Sequence, residues 1–431
     1  SILSPVFNFL AFKGVMIKIG KMKKLVFLVL LLVAVTWSVN AQNRSINFEQ
    51  TKEWKRIVKK AKKEKKLVFI DCYTSWCGPC KMLASKIFTQ DAVADFFNEN
   101  FVNTKYDMEK DVDGVMLKDK FGVKAFPTLV FVDPETQEIA HCIVGARKAE
   151  ELIAEGEKAK DRENNLRGMM KRYAAGERSA EFLIAYMSTL AAAYQKDEVD
   201  KVAVEYLNTL SLEELMTKEG WGLINQYVKD PLSAPLKQVM ENRSKFYTVA
   251  SKVVIDDKLE YCINVAVGQL VDWDPESGVA FDEGRNRALI DYLQNIDFFV
   301  AAPTGLANLY TAGYVRERDF RGLLNKMKEV LGYNMFRSVV SKGRYLQRNF
   351  EALSRSEDKA LLEEGIKWID LLCMSTNEYS SKAKLMNSKA LLQIKIGDTE
   401  GAAKSKVEEE QYMQEGQKKR NERLMRIRNN S

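Results

Sequence analysis

Two cysteines bracketing Gly78-Pro79, where a strand gives way to a helix, constrain this chain more than any other stretch. Leu67-Val68-Phe69-Ile70 is a short apolar run of β-prone residues and reads as a buried strand. Lys81-Met82-Leu83-Ala84-Ser85-Lys86-Ile87-Phe88 then has helical spacing. Cys77 therefore falls at a helix N-terminus, where unpaired backbone N–H groups and the helix dipole favour a thiolate over a thiol. A thiolate is the attacking species in thiol–disulfide exchange, and Cys80, one turn on, can resolve a mixed disulfide. A zinc site would need a second ligand pair. None is spaced for it, and His141 is the only histidine.

Trp76-Cys77-Gly78-Pro79-Cys80 resembles the active-site motif of thioredoxins, and three further stretches follow the family's order. Asp71 matches the buried acid on the strand before the motif. Ala125-Phe126-Pro127-Thr128 matches the segment with the family's cis-proline, and Val144-Gly145-Ala146 the segment closing the sheet near the active site. From the residues alone, Asp71 reads as a cap or as a partner for Lys105, and Pro127 as a trans proline opening a strand. The resemblance implies more. Asp71 would lie behind Cys80 with a raised pKa and accept its proton. The Phe126–Pro127 bond would be cis, packed opposite Cys77, with the backbone of Phe126 open to a substrate strand. Trp76, Gly78, Pro79 and Phe126 would shape that site. The lysine that often accompanies the acid falls at Asn103, and Lys105 is the expected substitute. The bulky Phe126 stands where a small or β-branched residue is commoner.

Strand–helix alternation ending in a hairpin predicts an α/β thioredoxin-like fold, a mixed central sheet flanked by helices, over 42–160. Ile46-Asn47-Phe48 is expected as a short edge strand and Trp54, Ile57 and Val58 as the inner face of a first helix. Phe101 to Met108 is the next strand, and Val112 to Phe121 a helix that Gly122 ends. Pro127 to Val132 and Glu138 to Val144 form the hairpin, and a helix from Lys148 closes the unit.

The chain's 431 residues are enough for two or three domains. From 161 to 431 the pattern turns all-α. Apolar residues recur at helical spacing, as in Phe182-Leu183, Tyr186 and Leu190, with breaks at Gly176, Lys229-Asp230-Pro231, Asp274 to Gly278 and Gly397-Asp398. Ala390 to Asp398 resembles the end of a tetratricopeptide-type repeat. No 34-residue period is sustained, so the expectation is a helical-hairpin array. A net charge of +7 is modest at this length, and no aromatic-interleaved basic patch points to nucleic acid.

Residues 22–41 set the expected compartment. Met22-Lys23-Lys24 is a basic start, Leu25 to Val35 an apolar run too short to span a bilayer comfortably, and Val39-Asn40-Ala41 a small-residue cleavage site. This reads as a signal peptide with the mature chain beginning near Gln42. Residues 1–21 lack an organised pattern and read as upstream of the true start. Export would make the protein periplasmic in a Gram-negative source. All six cysteines lie beyond the cleavage site, and Cys72, Cys142, Cys262 and Cys373 read as small buried hydrophobes whose pairing the sequence leaves open.

The combined expectation is a thiol–disulfide oxidoreductase of exported cysteine-containing proteins. Cys77 attacks, Cys80 resolves, Asp71 assists proton transfer and Pro127 shapes the substrate site, with no cofactor and no metal. Gly78-Pro79 resembles the reducing members of the family, which implies reduction or isomerisation and a membrane-embedded thiol relay as electron donor. The rival expectation is a redox-gated interaction protein whose helical array binds a protein partner.

Overall fold

In the computed structural model, which describes residues 44–333 and 335–429, the chain divides into two units, one reaching to Val199 and one beginning at Asp200. The segments expected as an upstream stretch and a leader, 1–21 and 22–41, lie outside the described residues. No helix among the described residues is long and apolar enough to cross a membrane.

The first unit is built on β1 (Leu67–Tyr73), whose five central residues are buried on both faces. α1 (Trp54–Glu64) precedes it and turns Trp54, Ile57, Val58 and Ala61 inward. After β1 come α2 (Gly78–Met82), a π-helical turn (Leu83–Ile87) and α3 (Asp91–Asn100), so the helix expected after Cys77 breaks before Asp91. Then follow β2 (Phe101–Asp107), α4 (Val112–Phe121), β3 (Thr128–Asp133), β4 (Glu138–Val144) and α5 (Ala149–Lys160). Gly122 stops α4 at φ +63°, the left-handed cap that glycine adopts without strain. Strand order is β2-β1-β3-β4, with β1 parallel to β2 and antiparallel to β3, which is antiparallel to β4. The mixed sheet and its flanking helices match the expected fold class.

Two differences from the sequence reading have physical causes. Ile46-Asn47-Phe48 is not a strand of the sheet. The Ile46 N–H donates to the Phe88 carbonyl at 2.9 Å, and the next backbone N–H to meet β2 is that of Glu49, at the Asn103 carbonyl, 2.8 Å away. The compact unit also continues past residue 160 to Val199. Here α6 (Leu166–Ala174) and α7 (Ala180–Ala192) follow, and α6 begins against the sheet. Its Leu166 N–H donates to Nδ1 of the buried His141 on β4 at 3.2 Å, so the ring's Nε2 carries the proton it gives to Glu155 at 2.8 Å. Leu166 and Met169 are buried, and Lys158 Nζ on α5 donates to Thr189 Oγ1 on α7 at 2.5 Å. Gly168 lies so close to the preceding turn that a Cβ there would stand 2.1 Å from the Arg162 carbonyl oxygen.

A core of the unit lies on one face of the sheet, where Phe69, Phe97, Phe101, Phe131, Leu83 and Ile143 form one buried cluster. Phe69 and Phe97 meet at 4.6 Å between ring centres, an edge-to-face arrangement that aromatic quadrupoles favour.

Described residues of the second unit are helical and irregular, without strands. The expected helices at its C-terminal end are found at Lys359–Ser375, Tyr379–Ile396 and Thr399–Asn429. Gly397, at φ +85°, turns the second into the third. Leu323, Leu324, Phe350, Leu353, Leu361, Ile369 and Leu392 belong to one buried cluster, which gives this unit a core of its own.

Candidate active site

β1 ends at Tyr73, and Thr74 to Trp76 carry the chain to Cys77, which caps α2 with extended φ and ψ of −72° and 108°. Its Sγ accepts the backbone N–H of Cys80 at 3.2 Å, so one of the helix's orphan donors is aimed at the sulfur. Pro79 sits in the first turn, where a missing N–H leaves no hydrogen bond broken. Cys77 and Cys80 are joined as a disulfide with 5.4 Å between Cα atoms. Both are buried, whereas Trp76 beside them is 66 % exposed.

Asp71 shares a face of β1 with Phe69, the face on which Leu83 packs one turn beyond Cys80. It pairs in register with Lys105 on β2 and Leu129 on β3. Its carboxyl is buried, and among the described residues Oδ1 has no hydrogen-bond partner. Burial pushes its pKa from an ordinary 3.8 up to about 7, with Lys105 and then Lys52 pulling the other way. Lys105 is exposed, its Nζ 5.2 Å from the Phe48 ring centre. Asn103 is buried and ties β2 to the end of α3, donating to the Phe97 carbonyl at 3.2 Å.

The Phe126–Pro127 peptide bond is cis. The Phe126 ring meets Trp76 edge-on at 6.0 Å, which brings this loop to the cysteine motif. Gly145 N–H donates to the Pro127 carbonyl at 2.8 Å, joining the Val144-Gly145-Ala146 segment to the same place. Trp76, Cys77, Phe126 and Pro127 thus converge on one rim, with Asp71 inside the sheet. Sequence reasoning missed two rim residues. Glu109 accepts the Trp76 indole N–H at 2.9 Å, and Lys118 stands 5.9 Å from the Phe126 ring centre. Charged residues on a turn and on a helix face gave no signal.

The other four cysteines are buried and unpaired. Burial pushes the thiols of Cys142 and Cys262 up to about 12 and about 11, that of Cys72 well above its usual range, and that of Cys373 upward. They are protonated and poorly nucleophilic at neutral pH. Among the described residues no group of three or more His, Cys, Asp or Glu could hold a metal ion.

A cysteine pair at a helix N-terminus, facing a cis-proline loop across the end of such a sheet, defines a protein-disulfide oxidoreductase. The family model described as Thioredoxin matches residues 45–158. Thioredoxin H2 of Arabidopsis thaliana is 36 % identical over 109 residues, 25 % of this chain and 74 % of that protein. A protein disulfide-isomerase of Hordeum vulgare is 37 % identical over 92 residues, 21 % of this chain and 16 % of its own. A solution structure from Bacteroides thetaiotaomicron is 43 % identical, covering 28 % of this chain and 98 % of that one, at a TM-score of 0.26. The chain belongs to the thioredoxin family.

Proposed function

We propose that this protein reduces or isomerises disulfides of exported proteins, drawing electrons from a membrane-embedded thiol relay. The observation that carries the reading is the Cys77–Cys80 disulfide at the start of α2, with a buried carboxyl on the adjoining strand. In the reduced protein the Cys77 thiolate attacks a substrate disulfide, a mixed disulfide forms and one substrate thiolate leaves. Asp71 takes the proton of the Cys80 thiol, whose sulfur then attacks Cys77. The second substrate thiolate leaves, and the Cys77–Cys80 disulfide remains. Two electrons have passed to the substrate. A carboxyl held at about 7 is suited to this task, because an acceptor works best with a pKa near the operating pH. Pro127 and Phe126 would receive the substrate backbone. The basic and apolar pattern of 22–41 supports export.

Replacing Cys80 by serine removes the resolving step and leaves mixed disulfides on Cys77. Expressed from the full coding sequence in a Gram-negative host, the Cys80→Ser chain should accumulate adducts with proteins that themselves carry export signals. Adducts drawn from cytosolic proteins, or none that depend on Cys77, would reject the reading.

A further inference from the structure

Four side chains form a row along the rim of the cysteine pair, with opposite charges at its ends. Glu109 holds the indole N–H of Trp76, Trp76 meets Phe126, and Lys118 on α4 stands beside the Phe126 ring. Contact with a ring face leaves the three ammonium N–H donors of Lys118 unspent. Lys118 is half-buried, and among the described residues it has no carboxylate within ion-pair distance. Two more cations lie nearby in the chain and exposed, Lys124 just before Phe126 and Lys81 just after Cys80. Lys118 gives the Phe126 end of the row a positive charge, and Glu109 gives the Trp76 end a negative one. Phe126 also precedes the cis proline, so a substrate segment reaching Cys77 passes alongside this ammonium.

We infer that Lys118 makes the Phe126 side of the rim a subsite for an acidic side chain next to the reacting substrate cysteine. Glu109 disfavours such a residue at the opposite end. The inference rests on the oxidoreductase reading and adds a substrate preference to it. Phe126 restricts where the substrate can lie, and Lys118, fixed beside it, supplies the sign. A single partly exposed ion pair has a modest effect that salt screens, so the preference is a few-fold and depends on ionic strength.

The test uses three disulfide peptides that differ only in having Glu, Gln or Lys beside the reactive cysteine. With the full-length protein at low salt, kcat/KM for the Glu peptide should exceed that for the Lys peptide by about three- to tenfold. The ratio should fall toward one at roughly 1 M salt, where the screening length is about 3 Å. Lys118→Glu should invert the ratio. Lys118→Met, which keeps the stem beside Phe126 but not the charge, should bring it close to one. Equal rates for all three peptides with the unaltered protein would overturn the subsite. So would a preference that salt leaves intact, or a Lys118→Met chain that slows all three alike, the mark of a merely structural lysine. Failure of the underlying reading looks different, because then the unaltered protein reduces none of the peptides.

Discussion

Replacing Asp71 by asparagine keeps the shape of a buried side chain and removes its charge, so its effect on stability should depend on pH. The carboxyl titrates at about 7 in the folded chain against an ordinary 3.8. At pH 8 both states are ionised, and holding that charge inside β1 costs the folded protein about 4 kcal/mol, at 1.36 kcal/mol per pH unit. Around pH 4 the folded carboxyl is protonated and the unfolded one is about half so, and the cost falls below about 1 kcal/mol. The folded state therefore holds a proton that the unfolded chain has released between those values. The contribution of Asp71 to stability falls as pH rises from about 4 to about 7 and is flat above. Asparagine brings an amide of its own that lacks partners, but that penalty is the same at both pH values. The gain of Asp71→Asn at pH 8 should thus exceed its gain at pH 4 by about 3–4 kcal/mol. Because the chain has two units, a single global transition is a poor readout. The denaturant dependence of amide exchange in β1, measured on the oxidised protein, reports the right unit. An equal effect at both pH values would refute the reasoning, since the burial of a charge is its only source.

Two further outcomes are expected. In the reduced protein, iodoacetamide at mildly acidic pH should label Cys77 well before Cys80, read by peptide mass, and faster labelling of Cys80 would reverse their roles. A fragment ending at 160 should melt about 10 °C or more below one ending at 199, because it loses the buried Leu166 and Met169, each worth about 1.5–3 kcal/mol. Equal melting temperatures would show that α6 and α7 add nothing to the redox unit.

The redox centre was legible because its chemistry is compressed into neighbouring residues. An apolar β-prone run, two cysteines around Gly78-Pro79 and a helical pattern specify a strand, a turn and a cap with no knowledge of the rest. Gly122 was legible for the same local reason. Ile46 to Phe48 misled because an alternating pattern does not say where backbone donors go, and Ile46 gives its N–H to Phe88. The extent of the first unit was hidden in a similar way. Leu166, Met169 and Tyr186 show the same spacing whether a helix packs on a sheet or on other helices. The contact that ties α6 down uses a backbone N–H and the ring of His141, which hydrophobic periodicity cannot report. Glu109 and Lys118 were invisible because a charge on an exposed turn or helix face reads as ordinary solvation.

The stretch before α1 has a consequence for how this protein behaves in a crowded solution. β2 is an outermost strand, and unpaired backbone groups along such a strand are a template for another chain. Here Glu49 N–H occupies the Asn103 carbonyl, and the Lys52 ammonium occupies that of Lys105, two residues along the same side. A few residues that join no ladder thereby act as a sleeve over the sheet's open flank. Cutting them away would take the buried Ile46 out of the core and would also leave the outer carbonyls of β2 open to another chain.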